Sequence, residues 1–96
     1  MLIVIARMEI KPGCMEKFLE VLQKLVPTVR SEDGCIRYDP CRDVKSEPRD
    51  KFITFVEEWQ SAAHHQAHMA TSHMAEFRAA AKELRLNSQV TMIEPL

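Results

Sequence analysis

The chain opens on Leu2, Ile3, Val4, Ile5 and Ala6, apolar residues without polar alternation. Such a run predicts a β-strand, Leu2 to about Ile10, covered on both faces. Pro12-Gly13 breaks it. Phe18, Leu22, Leu25 and Val29 then recur at helical spacing while Glu16, Lys17, Glu20 and Lys24 turn away, predicting an amphipathic helix over residues 14–30 with Pro27 kinking or tightening its last turns. Asp33-Gly34 predicts a turn. Cys35–Arg42 follows as a second strand with Ile36, Tyr38 and Pro40 on one side, and a proline there marks a sheet edge or a bulge. Residues 43–50, the longest polar run, read as a surface hairpin connection, either a solvated loop or a mobile lid. Phe52–Trp59 is apolar on both faces through Phe52, Ile53, Phe55 and Val56, which predicts a central strand. Ser61 is placed to cap a helix from Ala62 to about Ala70. Thr71-Ser72 can cap another from about His73 to Leu84, with Phe77, Ala81 and Leu84 inward, and Gln89–Ile93 alternates as a closing strand.

Strand, helix, strand, strand, helix pair, strand is the ferredoxin-like split βαβ order: an α+β fold with an antiparallel four-stranded sheet and helices on one face. The other face of strands that are apolar on both sides then needs a cover. A second copy of the sheet supplies it, so an obligate homodimer is expected.

The length of 96 residues predicts one domain over 1–96. A net charge of -1, with 28% charged residues of both signs, leaves no basic stripe for nucleic acid or anionic lipid. No basic region precedes the opening apolar run and Arg7 follows it closely, against a signal peptide or membrane span and for a cytoplasmic protein. Three cysteines, an odd number, argue for reduced thiols. On one strand Cys35 and Cys41 would stand roughly 20 Å apart, beyond disulfide reach. Neither forms a CxxC pair, so a structural zinc site has no support.

All 4 histidines and the 1 tryptophan fall between Glu57 and Phe77, where groups close in sequence can converge on one cavity. Glu57 lies inside an apolar strand and needs a partner, a histidine or Arg7. Gly13 and Gly34 sit in neither a GxGxxG nor a P-loop setting, so no flavin or nicotinamide cofactor is expected. His64 and His68 have a metal-binding spacing but lack the glutamate of HExxH, and a third ligand from His73 would have to cross the break at Thr71-Ser72. No metal is therefore expected, and His64 and His65 are read as surface residues. Met69 and Met74 read as flexible core filler.

Pro12-Gly13 after an apolar strand, Gly34-Cys35 with Tyr38, Glu57-x-Trp59 with Ser61, His68-x-x-Thr71-x-His73 and Phe77 together resemble the antibiotic biosynthesis monooxygenase (ABM) superfamily, over essentially the whole chain. The stretches VPTV, GC, EEWQS and AHMATSHM are similar to its quinol monooxygenase branch. The resemblance implies a dimeric α+β barrel, and cofactor-independent oxidation of a hydroxylated aromatic by molecular oxygen. The superfamily also holds isomerases and proteins without a known reaction, so an isomerase or a non-catalytic small-molecule-binding dimer is the alternative. Its haem-degrading members use an asparagine, a tryptophan and a histidine at positions that align with Ala6, His68 and Arg78. None matches.

Cofactor-free oxidation asks for a base, anion stabilisation and exclusion of water. His68 is the expected base, against the reading of a core histidine satisfied by a backbone carbonyl. Glu57 either orients His68 or forms a plain buried salt bridge. Trp59 and Phe77 either wall the substrate or simply fill the core. Tyr38 either binds a substrate oxygen or lies in the sheet, and His73 is the remaining candidate at the substrate.

Overall fold

The computed structural model describes residues 1–45 and 51–96. Strand β1 (Leu2–Ile10), apolar from Leu2 to Ala6 and carrying Arg7 and Glu9 further on, is an interior strand paired on one side with β3 (Phe52–Trp59) and on the other with β4 (Arg85–Ile93). The sheet is antiparallel with the order β2-β3-β1-β4, where β2 is Cys35–Arg42. Helices α1 (Met15–Arg30), α2 (Ala62–Met69) and α3 (Ser72–Leu84) cover one face. The ferredoxin-like α+β arrangement expected from the element order is therefore present.

On the covered face Val4 stands across from Glu57, Ala6 from Phe55 and Leu2 from Trp59. α1 lays Phe18, Leu22, Leu25 and Val29 over them, and Phe18, Phe55 and Phe77 form an aromatic cluster with ring centroids 6.0 to 6.5 Å apart. Truncating one such phenylalanine to alanine costs about 3–5 kcal/mol, so this cluster is the mechanical base of the fold. Pro27 is accommodated inside α1 without ending it.

Two expectations need correction. β4 begins at Arg85, directly from α3, because Lys11 N–H donates to the Leu84 carbonyl at 2.9 Å and a register shift at Glu9/Ile10 carries the pairing into Arg85. Ile36 does not share a face with Tyr38: a bulge between Cys35 and Arg37 turns it outward, 58% exposed, while Tyr38 is buried. Pro40 sits opposite Phe55 on β2, an edge strand, so of the two expected meanings of that proline the sheet edge holds. Of the expected 43–50 connection, residues 46–50 lie outside the described residues.

The uncovered face carries Ile3 and Ile5 of β1, Phe52 and Val56 of β3 and Ile93 of β4, half-buried or exposed. Among the described residues, no helix is long and apolar enough to cross a membrane, and all three cysteines are free.

Candidate active site

α2 reads Ala62-Ala63-His64-His65-Gln66-Ala67-His68-Met69, and the face it buries is made of His65 and His68. Ser61 starts the helix by accepting from the His64 N–H. Thr71 ends it and starts α3: its Oγ1 donates to the His68 carbonyl at 2.8 Å and accepts from Met74 N–H at 3.3 Å. The two-residue link Ala70-Thr71 brings His68, in the last turn of α2, beside His73, in the first turn of α3.

The third member arrives from the far end of α1. Gly34, at φ 80°, lets the chain turn tightly, and its carbonyl accepts from Gln60 N–H at 2.8 Å. A Cβ at Gly34 would overlap the His64 ring, so only glycine lets the turn seat against α2. The same turn carries Glu32, whose Oε2 is 2.8 Å from His68 Nδ1 and 2.8 Å from His73 Nε2. An ionised carboxylate only accepts, so both ring nitrogens donate.

His68 is 1% exposed and stacks on Trp59 with ring centroids 4.5 Å apart. Burial, against the pull of Glu32, lowers its pKa, so at neutral pH the ring is neutral. With Nδ1–H held by Glu32, the lone pair is on Nε2. That atom makes no hydrogen bond among the described residues, is not sealed from solvent, and belongs to a side chain that lines a cavity of about 380 Å³.

The cavity lies between the sheet and α3 and is the most enclosed of three depressions. The others, about 510 Å³ against α1 and β2 and about 440 Å³ along α1 and α3, are larger but more open and do not reach His68. Its apolar walls include Val4, Ala6, Phe55 and Phe77, and its polar lining includes Tyr38, Glu57, His65 and His68, with Arg78, Lys82 and Arg85. The Tyr38 hydroxyl has no partner among the described residues. Burial drives its pKa far above the ordinary phenol range, followed by repulsion from Glu57 and Glu32, so it remains a neutral donor. Burial likewise raises the Glu57 carboxyl to about 7, despite its hydrogen bond from Trp59.

The expected residues divide as follows. His68, Glu57, Tyr38 and Phe77 meet at the cavity. Glu57 does not orient His68: its Oε1 accepts from Trp59 Nε1 at 3.0 Å, while Arg7, the other expected partner, binds Asp43 at 2.8 and 2.9 Å and Thr54 at 3.0 Å. Trp59 is fully buried beneath His68 and does not line the cavity, so its place is in the core. His73 opens on the α1–α3 groove and touches the site only through Glu32. His65, expected at the surface, is 9% exposed and lines the cavity, and burial and then the nearby His68 lower its pKa.

Glu32 was invisible to sequence reasoning, since a carboxylate in a polar turn looks solvated. His65 left a signal, because α2 offers no large aliphatic side chain to bury.

The His64–His68 spacing does not make a metal pair, for His64 Nδ1 lies 2.7 Å from Ser61 Oγ and its Nε2 3.4 Å from Asp33. Glu32 Oε2, His68 Nδ1 and His73 Nε2 do lie within 4.8 Å of one another, a donor set that suits a divalent first-row ion. A metal there would have to displace the two N–H protons that now satisfy the carboxylate.

The family model described as Antibiotic biosynthesis monooxygenase matches residues 1–80, and the chain belongs to that family. It is 35% identical over 103 aligned residues to "Probable quinol monooxygenase YgiN" of Escherichia coli, spanning 99% of this chain and 98% of the relative. Its fold superimposes on PA3566 from Pseudomonas aeruginosa with a TM-score of 0.88 at 27% identity, covering 99% of this chain and 93% of the other. The corresponding values for Rv0793 from Mycobacterium tuberculosis are 0.88 and 26%, with 99% and 94% covered.

Proposed function

We propose that this chain is a cofactor-independent monooxygenase that oxidises a hydroxylated aromatic, a quinol or anthrone, with molecular oxygen. The supporting observation is His68, neutral, fixed through Nδ1 by Glu32 and presenting a free Nε2 to an enclosed, mostly apolar cavity. An imidazole so held can take a phenolic proton, and the imidazolium that forms is stabilised by the carboxylate behind it. Tyr38 O–H and the protonated form of Glu57 can donate to the substrate's oxygens. The electron-rich anion then reduces oxygen against the apolar wall of the cavity, which limits the access of water. For an anthrone, the ring CH₂ and O₂ become C=O and H₂O; for a hydroquinone, C₆H₆O₂ and O₂ become C₆H₄O₃ and H₂O. The resemblance to a relative named for quinol oxidation supports the same class. The reading includes one domain over residues 1–96, working in the cytoplasm as a homodimer.

Oxygen uptake by metal-free protein with a panel of hydroquinones and anthrones tests it. Uptake above the autoxidation blank is expected, with a loss of about a hundredfold to ten-thousandfold in His68→Gln. An undiminished rate in that variant removes His68 as the base. Absence of uptake across the panel replaces oxidation by the isomerase or binding reading.

A further inference from the structure

The cavity has a second chemical character that proton transfer does not use. Arg78 and Lys82 of α3 and Arg85, which follows it, line the same space as His68. Arg78 and Lys82, four apart, share one face of α3, and Arg85 follows at the start of β4 and lines the same space, so the three make one basic stripe along it. None makes a hydrogen bond or ion pair among the described residues, although Arg7, Arg30 and Arg37 all do. Arg78, Lys82 and Arg85 are all exposed or half-exposed, so their charges are available at the edge of the cavity. The acidic side chain lining the space is Glu57, half protonated at neutral pH by its burial. The basic stripe therefore gives its side of the cavity an excess of positive charge, while at His68 the nearer Glu32 outweighs Arg78, which opposes protonation behind burial and His73. Across the opening stand Ser88, Val90 and Met92 of β4, which bring no negative charge.

We propose that the substrate is an anionic aromatic: a quinol-type ring, placed against the apolar wall with its hydroxyl at His68 Nε2, carries a carboxylate or an equivalent oxyanion that Arg78, Lys82 and Arg85 bind at the mouth of the cavity. The volume of about 380 Å³ suits one or two rings with a short charged substituent. Guanidinium groups match a carboxylate in two-point geometry, while the lysine contributes a point charge. The arrangement also gives orientation. An anion drawn to the stripe leaves the ring hydroxyl to reach the far, neutral end where the base stands. This inference rests on the oxidative reading above for its rate measurement, but not for its binding measurement.

The test compares 2,5-dihydroxyphenylacetate with its methyl ester, which share one quinol ring and differ in charge, and adds hydroquinone sulfonate. Oxygen uptake gives kcat/KM and calorimetry gives Kd. The acid is expected to exceed the ester by about tenfold or more at low salt, since three exposed or half-exposed cations each contribute modestly. That advantage should shrink between 0.01 and 1 M salt, as the screening length falls from about 30 Å to about 3 Å. The acid-to-ester ratio should fall toward one in the triple variant Arg78→Gln, Lys82→Gln, Arg85→Gln. If that variant does not fold, the salt dependence of the wild-type ratio decides. An equal advantage for the sulfonate supports recognition of charge, and an advantage for the carboxylate alone supports two-point recognition by the arginines. Acid and ester oxidised equally well overturn the anionic substrate while leaving oxidation standing. Preferential binding of the acid without oxygen uptake does the reverse, and binding of neither overturns the anionic substrate, leaving oxidation to the hydroquinone and anthrone panel.

Discussion

Glu32 and His68, 36 residues apart, meet at 2.8 Å, and the same carboxylate oxygen holds His73 at 2.8 Å on its other side. The buried imidazole is thus fixed by a group from the end of α1, not by Glu57 two positions from the tryptophan. That arrangement selects the tautomer with Nε2 free for the cavity.

Glu32→Gln keeps the size of the side chain but removes the charge that stabilises an imidazolium. Glu32 raises the pKa of His68 against the stronger lowering by burial. Its loss should move the acid limb of kcat/KM to lower pH and reduce the plateau rate by about tenfold to a hundredfold. A pH–rate profile reads both, and an acid limb that stays in place would show that Glu32 does not act through His68.

Glu57→Gln can still accept from Trp59 Nε1 while ceasing to titrate. The wild-type carboxyl, raised from 4.5 to about 7, contributes stability that is complete below pH 4.5 and lost as pH rises through 7. The loss is about 3 kcal/mol at about 1.4 kcal/mol per pKa unit. Denaturant unfolding should find Glu57→Gln more stable than wild type at pH 8 and no different at pH 4.5. His65 and His68 act in the opposite sense: their lowered pKa values give stability that is present above 6.5 and lost as pH falls. A pH-independent difference between Glu57→Gln and wild type would refute the raised carboxyl.

Gly34→Ala should cost more than Gly13→Ala although both glycines have φ near 80°. A left-handed alanine costs about 1–2 kcal/mol at either position. At Gly13 the new methyl meets nothing, whereas at Gly34 it overlaps the His64 ring. Displacing that turn also moves Glu32, so Gly34→Ala should lose activity as well as stability. Equal unfolding free energies for the two variants would mean that the His64 ring yields freely.

The parts of this fold that could be read from the chain are those where a residue's own chemistry states its surroundings. Ile3 beside Val4 beside Ile5 demands neighbours on both sides of β1, and Ser61 and Thr71 announce helix starts. Period-two reading fails at Ile36, because a bulge adds one residue and reverses which side faces in. It also missed the start of β4, where Arg85, Leu86, Asn87 and Ser88 show no alternation. The site was half legible for a related reason. His68 and Tyr38 carry their chemistry visibly, but depth does not appear in spacing, so Trp59 was expected as a possible wall and lies in the core. Glu32 depends on a contact across 36 residues that no local pattern contains.

The uncovered sheet face yields the last prediction. Ile5 and Val56 are register partners on it, flanked by Ile3, Phe52 and Ile93, and the helices all lie on the opposite side. The apolar patch made by Ile3, Ile5, Val56 and Ile93 is stabilised by burial at about 25 cal/mol per Å². A second copy offers the same flat apolar surface and closes the arrangement by a two-fold axis without leaving a free face. Arg7, two positions after Ile5 on the same face of β1, pairs with Asp43, and Arg37–Glu58 and Lys51–Glu9 pair beside it, at 2.8, 3.7 and 3.8 Å, so charged pairs flank the apolar patch. Light scattering at micromolar concentration should therefore give a mass near twice 11.1 kDa. Ile5→Lys combined with Val56→Lys sets two like charges side by side at the middle of that surface, and should give the monomer mass or a protein that no longer folds at that concentration. A wild-type mass of 11.1 kDa would sink the dimer, and an unchanged mass near twice that in a folded double variant would move the contact to another face of the molecule.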